Sequence, residues 1–476
     1  MNRARRAITL SILIISAVTV IALVSCRNKA MTGKILITRV HNVSLKADFI
    51  AGTSWRFPEE AQIVALDGDH RNKSIKVLTD GFYSACWPDV SYDGKSMLFA
   101  GKEKKDDQWR IWEMNLSNLK ARAVSPGSGE STDPVYLPAG RFAFTMAVPK
   151  DSLLAGHSIY TCNLDGTDLR RITFNPAAFF ALNTLADGRI IAAGRRIYPD
   201  TGAQRLMVLR PDGTKAELFC LPDGGGTVCS RSRETADGRV LFIESPSGNA
   251  SDGKLASVNY NRPLHTHDFL STETGGSFIS VSEPKAGNWL VCYRKSAKEQ
   301  YGLFEFDGQK KTMGNSLYED KDYSVLDAVE VGPHERPKKL PSEVDMHVKS
   351  GLLMCQNINV LNPQDKKANS HKAVRIEILG IGKSLGVVDV EPDGSFQIKP
   401  LSDTPFRIRT LDENGKTVNG PCSWIYLRPN ERRGCVGCHE DMELTPENRI
   451  ALAVKKKPVI VPVHVVKIKE KKVDLE

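Results

Sequence analysis

DGKSMLFA, beginning at Asp93-Gly94, returns along the chain in altered form as AGRFAFT from Ala139, DGRIIAA from Asp187, DGRVLFI from Asp237 and AGNWLVCY from Ala286. The five glycines, Gly94, Gly140, Gly188, Gly238 and Gly287, stand 46, 48, 50 and 49 residues apart. Each pairs a turn dipeptide with an apolar strand, as a hairpin does. A second series follows the next strand: Asp67-Gly68, Asp165-Gly166, Asp212-Gly213 and Asp307-Gly308, with gaps of 98, 47 and 95. The long gaps are twice the short one, so each hides a repeat. NLSNLKARAVS from Asn115 fills the first of them, 48 residues before NLDGTDLRRIT at Asn163. Between about 34 and 331 there is no long helical periodicity.

A period near 48 residues made of four short strands is a propeller blade. Counting an incomplete first blade built from Ile35–Arg39 and Ala61–Asp67, the repeats predict a six-bladed β-propeller over 34–333. Its missing inner strand is expected from Tyr323–Val331, closing the ring so that no sheet edge stays open. The stretch between His41 and Glu60 is expected as a loop over one face. The run Pro88-Asp89-Val90-Ser91-Tyr92-Asp93-Gly94-Lys95, the strand MLFA and then Trp109–Met114 resemble the TolB and WD-repeat-like propellers of bacterial periplasms. A propeller by itself says little about function.

The pattern changes after HERPKKLPSEVD at His334–Asp345, so 334–349 is expected as a linker. The strand-like runs GLLMCQNINVL, AVRIEILGI, LGVVDV, GSFQIKP, PFRIRTLD and SWIYLRP then predict a small β-sandwich or barrel over 350–445, followed by a basic tail at 446–476. The expected fold class is all-β throughout.

The first 25 residues read as an export signal: Arg3, Arg5 and Arg6, then an apolar run from Ala7 to Val24. Leu23-Val24-Ser25-Cys26 resembles the bacterial lipobox, which implies a lipidated Cys26 as the first mature residue, an anchor in the membrane and a place in the cell envelope, with the outer membrane favoured by Arg27. The alternative is an uncleaved transmembrane anchor, since 18 apolar residues are marginal for a span. Of the net charge of +9, the signal holds +3, and the tail from Ala451 holds seven lysines against three acids. The remainder is near neutral, so no nucleic-acid partner is expected. Among the ten cysteines, an oxidising compartment would permit bridges such as Cys220 to Cys229 or Cys355 to Cys422, but spacing does not assign them. Cys86 is the first candidate for a further metal site, against the plainer role of a small core residue.

The chemistry lies in Cys435-Val436-Gly437-Cys438-His439. Two thiols three positions apart reach the two vinyl carbons of one haem, and the adjacent histidine reaches the iron from the same loop. A disulfide between Cys435 and Cys438 and half of a zinc site are the alternatives, though no second CxxC is present. Arg432 and Arg433 could pair with haem propionates or be solvated. Trp424 and Tyr426 alternate with Ile425, so one face could lie on a porphyrin or serve the core of the small domain.

YSVLDAVEVGPHERP, EPDGSFQIKPLSDTPFRIRTLDENGKTV and above all SWIYLRPNERRGCVGCHED resemble the middle domain of the hydrazine synthase alpha subunit and its relatives. The resemblance implies a propeller joined to a β domain with one covalent haem c, attached through Cys435 and Cys438, with iron bound by His439. It does not imply hydrazine synthesis, which belongs to a multi-subunit enzyme with a further haem-bearing domain. This chain has about 37 residues after His439 and no second CxxCH. In the family's namesake a tyrosine four residues beyond the motif histidine binds iron and frees that histidine for zinc. Glu443 stands there in this chain, so the arrangement does not carry over. Met442 is too near in sequence to reach the opposite face easily, leaving His347, His464 or an empty position as the sixth ligand.

The leading expectation is a membrane-anchored monohaem cytochrome that serves electron transfer, or the haem-bearing component of a redox complex with a partner protein. An enzyme using an open haem position on a small substrate is the second. A propeller that binds protein or glycan, with haem structural or absent, is the third. No Ser/His/Asp triad, Walker loop or HExxH motif supports a hydrolase or nucleotide reading.

Overall fold

The computed structural model describes residues 31–41, 56–67, 75–147, 156–246, 252–284, 287–361, 369, 371–437, 443 and 448–463. The signal with Cys26, the second half of the haem motif (Cys438 and His439), Met442 and His464 lie outside the described residues. Two compact units appear. The first holds most of the chain up to Leu340, and the second holds 341–476 together with two short segments, 172–176 and 212–216.

In the first unit six antiparallel sheets follow one another along the chain, four strands each except the fifth, whose leading strand is broken in two. Strand Ile35–His41 pairs with Gln62–Leu66 on one side and with Tyr323–Glu330 on the other, in the register Ile35 to Glu330 and His41 to Tyr323. The last strand of the unit therefore leads the first sheet. Each sheet packs on the next: Ser96–Lys102 of the second on Glu130–Leu137 of the third, then on to Ser277–Ser282 of the sixth against Tyr323–Glu330 of the first. Antiparallel sheets packed in succession, with the last strand completing the first sheet, make a propeller-like ring.

The repeat has a direct physical basis. Gly94, Gly140, Gly188, Gly238 and Gly287 all take positive φ, between 70° and 102°, where glycine carries no steric penalty. At Gly188 a Cβ would also strike the carbonyl of Lys338. The strands after these glycines, such as Arg141–Ala147 and Arg239–Ser245, are buried on both faces, because each sheet lies between two others. They read as continuous apolar runs rather than alternating ones. Phe142, Ile191, Leu241 and Val291 from successive sheets join one core. Full burial of each such side chain is worth about 1.5–3 kcal/mol. The outermost strands, such as Ala121–Ala123 and Arg170–Arg171, are short and carry exposed arginines, which discourages edge pairing with other chains.

Beyond the ring, the expected linker is divided. Residues up to 340 stay with the first unit, where His334 N–H donates to Tyr92 and Lys338 N–H to Ala186. Residues from 341 belong to the second unit.

The second unit has two four-stranded sheets. One orders Arg432–Cys435, Leu352–Cys355, Phe396–Lys399 and Val459–Ile460; the other orders Lys383–Asp389, Arg375–Gly380, Arg407–Leu411 and Thr417–Asn419. Leu353, Ile398 and Phe396 from the first share a core with Ile376, Ile378 and Ile408 from the second. Two features differ from expectation. SWIYLRP is not a strand and makes one bridge, Ile425 to Phe406. Part of the stretch taken as a basic tail is structured: Val459–Ile460 pairs parallel with Ile398 and Lys399, and Val461 is buried.

Candidate functional site

The haem motif begins on the short strand Arg432–Cys435, which runs parallel to Leu352–Cys355 with Leu352 opposite Arg432 and Cys355 opposite Cys435. The ladder extends past the strand: Gln356 N–H donates to Cys435 and Asn357 N–H to Val436, at 2.9 and 3.0 Å. Cys435 is half-buried at the end of this ladder and packs against the apolar core of the unit. The backbone bearing the first motif thiol is thus fixed by its neighbour strand, while its side chain has an apolar wall on one side and solvent on the other.

Upstream, Glu431 organises the approach to the motif. It is fully buried, and both carboxylate oxygens are occupied. Oε1 accepts from Lys215 N–H at 2.8 Å and from Arg433 at 2.6 and 3.1 Å; Oε2 accepts from Arg428 N–H at 2.8 Å. Asn430 turns the chain at φ 67°, a conformation asparagine tolerates. Arg428 is buried, bonds Asp403 at 2.9 Å and stacks over Phe174. Nothing in the residue pattern singled out Glu431. An acid between Arg428 and the Arg432-Arg433 pair was the available signal.

The arginines expected near haem propionates divide. Arg433 binds Glu431 through two N–H groups, so its guanidinium fork is already engaged. Arg432 is exposed. Tyr426 is buried, and its hydroxyl reaches the carbonyls of Ile172 and Gly213 at 2.9 and 3.0 Å, so it anchors two segments of this unit rather than facing outward. Burial raises its hydroxyl pKa well above the usual tyrosine value. Trp424 is also buried, with Arg407 over its ring. Ile425 faces the core cluster, which is why the residues alternating with it do not. His347 is exposed.

Neither suggested disulfide forms. Cys220 and Cys229 direct their thiols to the carbonyls of Leu221 and Ile243, and Cys422 directs its thiol to Ser423 while Cys355 lies beside Val436. Cys86 is fully buried in the ring core, where burial raises its thiol pKa well above the usual range. No cluster of three or more His, Cys, Asp or Glu suited to a metal occurs among the described residues.

The first unit holds a separate group of buried charges that the repeat did not reveal. Trp87, Asp133 and Ala181 take positive φ at equivalent points of three leading strands, and the ladder slips at each. In the fifth sheet the same position is the break between Thr227–Val228 and Arg233–Glu234, which frees Arg231 to donate to the carbonyls of Pro88 and Pro134. Arg56 pairs with Asp133 at 3.1 Å, both fully buried, and stacks over Trp87 and Phe180. Desolvation lowers the Arg56 pKa to about 10, opposed by the Asp133 charge, so the guanidinium stays charged near neutrality. Asp327 lies in the same group, its pKa raised by burial against the pull of Arg233 and Arg231.

Residues 350–440 match the family model described as the hydrazine synthase alpha subunit middle domain. The hydrazine synthase subunit alpha of Kuenenia stuttgartiensis is 24% identical over 80% of this chain, which spans 63% of that relative's length. Among solved structures, Kuenenia stuttgartiensis hydrazine synthase superposes with a TM-score of 0.77 at 20% identity, covering 89% of this chain and 71% of that one, and so shares the fold. TolB from Acinetobacter baumannii matches 63% of this chain and 66% of its own at a TM-score of 0.45 and 16% identity. Residues 350–440, which carry most of the C-terminal β unit and the segment leading into CVGCH, are thus similar to the hydrazine synthase alpha subunit middle domain.

Proposed function

We propose that this chain is an exported, membrane-anchored protein with one c-type haem, serving electron transfer or acting as the haem-bearing component of a redox complex. The observation that carries the reading is the fixed placement of Cys435 at the end of a parallel strand, half-exposed against an apolar wall. That environment fits a porphyrin: one face of the ring needs apolar packing and its edge needs a thiol that cannot wander. Cys435 and Cys438 would hold the group covalently, and His439 is the first candidate for the iron. The bound haem would supply a one-electron couple, tuned by its ligands and by the dryness of its surroundings. Glu431 holds Arg433 away from solvent, which leaves Arg432 as the cation available to a propionate. The ring of sheets is read as a six-bladed propeller, and Cys26 as the lipid anchor that places both units in the cell envelope.

A haem stain of denatured protein, made together with the c-type maturation machinery, tests the attachment. Covalent haem that is lost in Cys435→Ala is expected. Absence of stain from a folded wild-type chain defeats the reading. The absorption spectrum of reduced His439→Ala reports the ligand: unchanged iron coordination would mean that the motif serves attachment alone. Mass spectrometry of the N-terminal peptide decides the anchor, a diacylated Cys26 being expected and a retained Met1 ruling it out.

A further inference from the structure

We propose that Cys355 is a redox partner of Cys435, able to form a cross-strand disulfide that closes the first haem-attachment thiol. Three observations place the two sulfurs together. Cys355 and Cys435 are register partners on adjacent parallel strands. Both side chains lie on the same face, since Cys355 is part of the apolar core and Cys435 packs against it. The Cys355 sulfur also lies 3.8 Å from the carbonyl of Val436, the residue after Cys435. Neighbouring strands are about 4.8 Å apart, and disulfides span Cα separations of about 4.4–6.8 Å, so the bond needs no movement of either strand. Cys422, in the same core, is committed elsewhere: its sulfur faces Ser423 and accepts from Ile408 N–H at 3.2 Å.

The chemistry balances with a disulfide oxidant. The thiolate of one cysteine attacks the oxidant's disulfide, a mixed disulfide forms, and the second thiolate displaces it. Cys355 and Cys435 together lose two electrons and two protons, and the oxidant leaves as two thiols. Haem attachment uses the same Cys435 sulfur differently, by adding S–H across a vinyl group with no net oxidation. The two fates exclude each other. The disulfide stands without the haem reading, while its competition with haem attachment rests on that reading.

Full-length chain made without the maturation machinery is equilibrated with glutathione and its disulfide, alkylated, digested without reduction and mapped by mass spectrometry. A peptide pair linking Cys355 to Cys435, two hydrogens lighter than the sum of its parts, is expected from the wild type. It should be lost in Cys355→Ser and kept in Cys422→Ser. A Cys435–Cys438 link in its place, or complete alkylation of Cys355 and Cys435 at every glutathione ratio, overturns the proposal. The wild-type map stands even where a variant fails to fold. In protein that stains for haem, Cys355 should be alkylated in full after denaturation; a Cys355 still blocked in the haem-loaded fraction contradicts the exclusion. A chain that never stains for haem leaves the glutathione map to decide the disulfide by itself.

Discussion

Each unit buries one carboxylate completely, and the two are treated differently. In the second unit Glu431 accepts four hydrogen bonds on its two oxygens, two from Arg433 two residues away and two from backbone amides. In the first unit Asp133 pairs through Oδ1 with an arginine 77 residues away, and its Oδ2 has no hydrogen-bond partner among the described residues. A saturated buried acid fixes local backbone, and here it fixes the approach to Cys435. An undersatisfied one at a slipped, left-handed position in a strand is strained, and it persists because the six surrounding sheets over-determine it. The local acid serves a site; the remote one depends on the ring being closed.

The largest test of this contrast is Asp133→Ala. It removes the carboxylate that faces the buried Arg56 guanidinium and should cost about 3–5 kcal/mol in denaturant unfolding. A loss below about 1 kcal/mol would show that Arg56 is not held by charge. Next is the pH dependence of the ring. His157 is buried among Phe57 and Phe180, and desolvation lowers its pKa from 6.5 to about 4, with Arg56 adding to the fall and Asp133 opposing it. The unfolded chain therefore takes up this proton first as pH falls. Stability should be intact above about pH 6.5 and decline down to about pH 4, by up to about 3 kcal/mol, and His157→Phe should flatten that slope. Equal slopes in the two proteins would assign the acid sensitivity to other groups.

Glu431→Gln keeps the shape but removes the charge that holds Arg433, and an expected loss of about 2–3 kcal/mol should appear in the second unit alone. Amide hydrogen exchange should localise it to the Leu352–Cys355 and Arg432–Cys435 strands. The smallest effect is expected at the surface. Arg196 and Asp200 form an exposed ion pair at 2.6 Å, and Arg196→Ala should cost less than about 1 kcal/mol.

The ring was legible because its geometry repeats: five turns need a left-handed residue at the same phase, and the chain uses glycine at all five. Its closing strand was legible for a different reason, since an incomplete first sheet demands a partner. The strand bearing Cys435 was not. Arg432-Arg433-Gly434 has neither alternation nor β-branched residues, and pairing with Leu352–Cys355 recruits it into the sheet against its local preference. SWIYLRP misled in the opposite sense: it has strand composition, but Tyr426 and Leu427 are spent on packing and the segment finds only one bridge. The buried charges were illegible because their partners, Arg56 with Asp133 and Arg231 with the carbonyls of Pro88 and Pro134, are joined only by the ring itself.

That ring is sealed by hydrogen bonds between Ile35–His41 and Tyr323–Glu330, the first and last strands of the unit. Synthesis delivers them nearly three hundred residues apart, so the earliest strand must wait, with one edge bare, for almost the whole unit to be made. Any product cut short before Tyr323 keeps that edge and lacks the means to cover it. Such a fragment presents an open strand of seven residues, ILITRVH, to proteases and to other nascent chains. The closing ladder thus works as a completeness check, separating finished molecules from truncated ones.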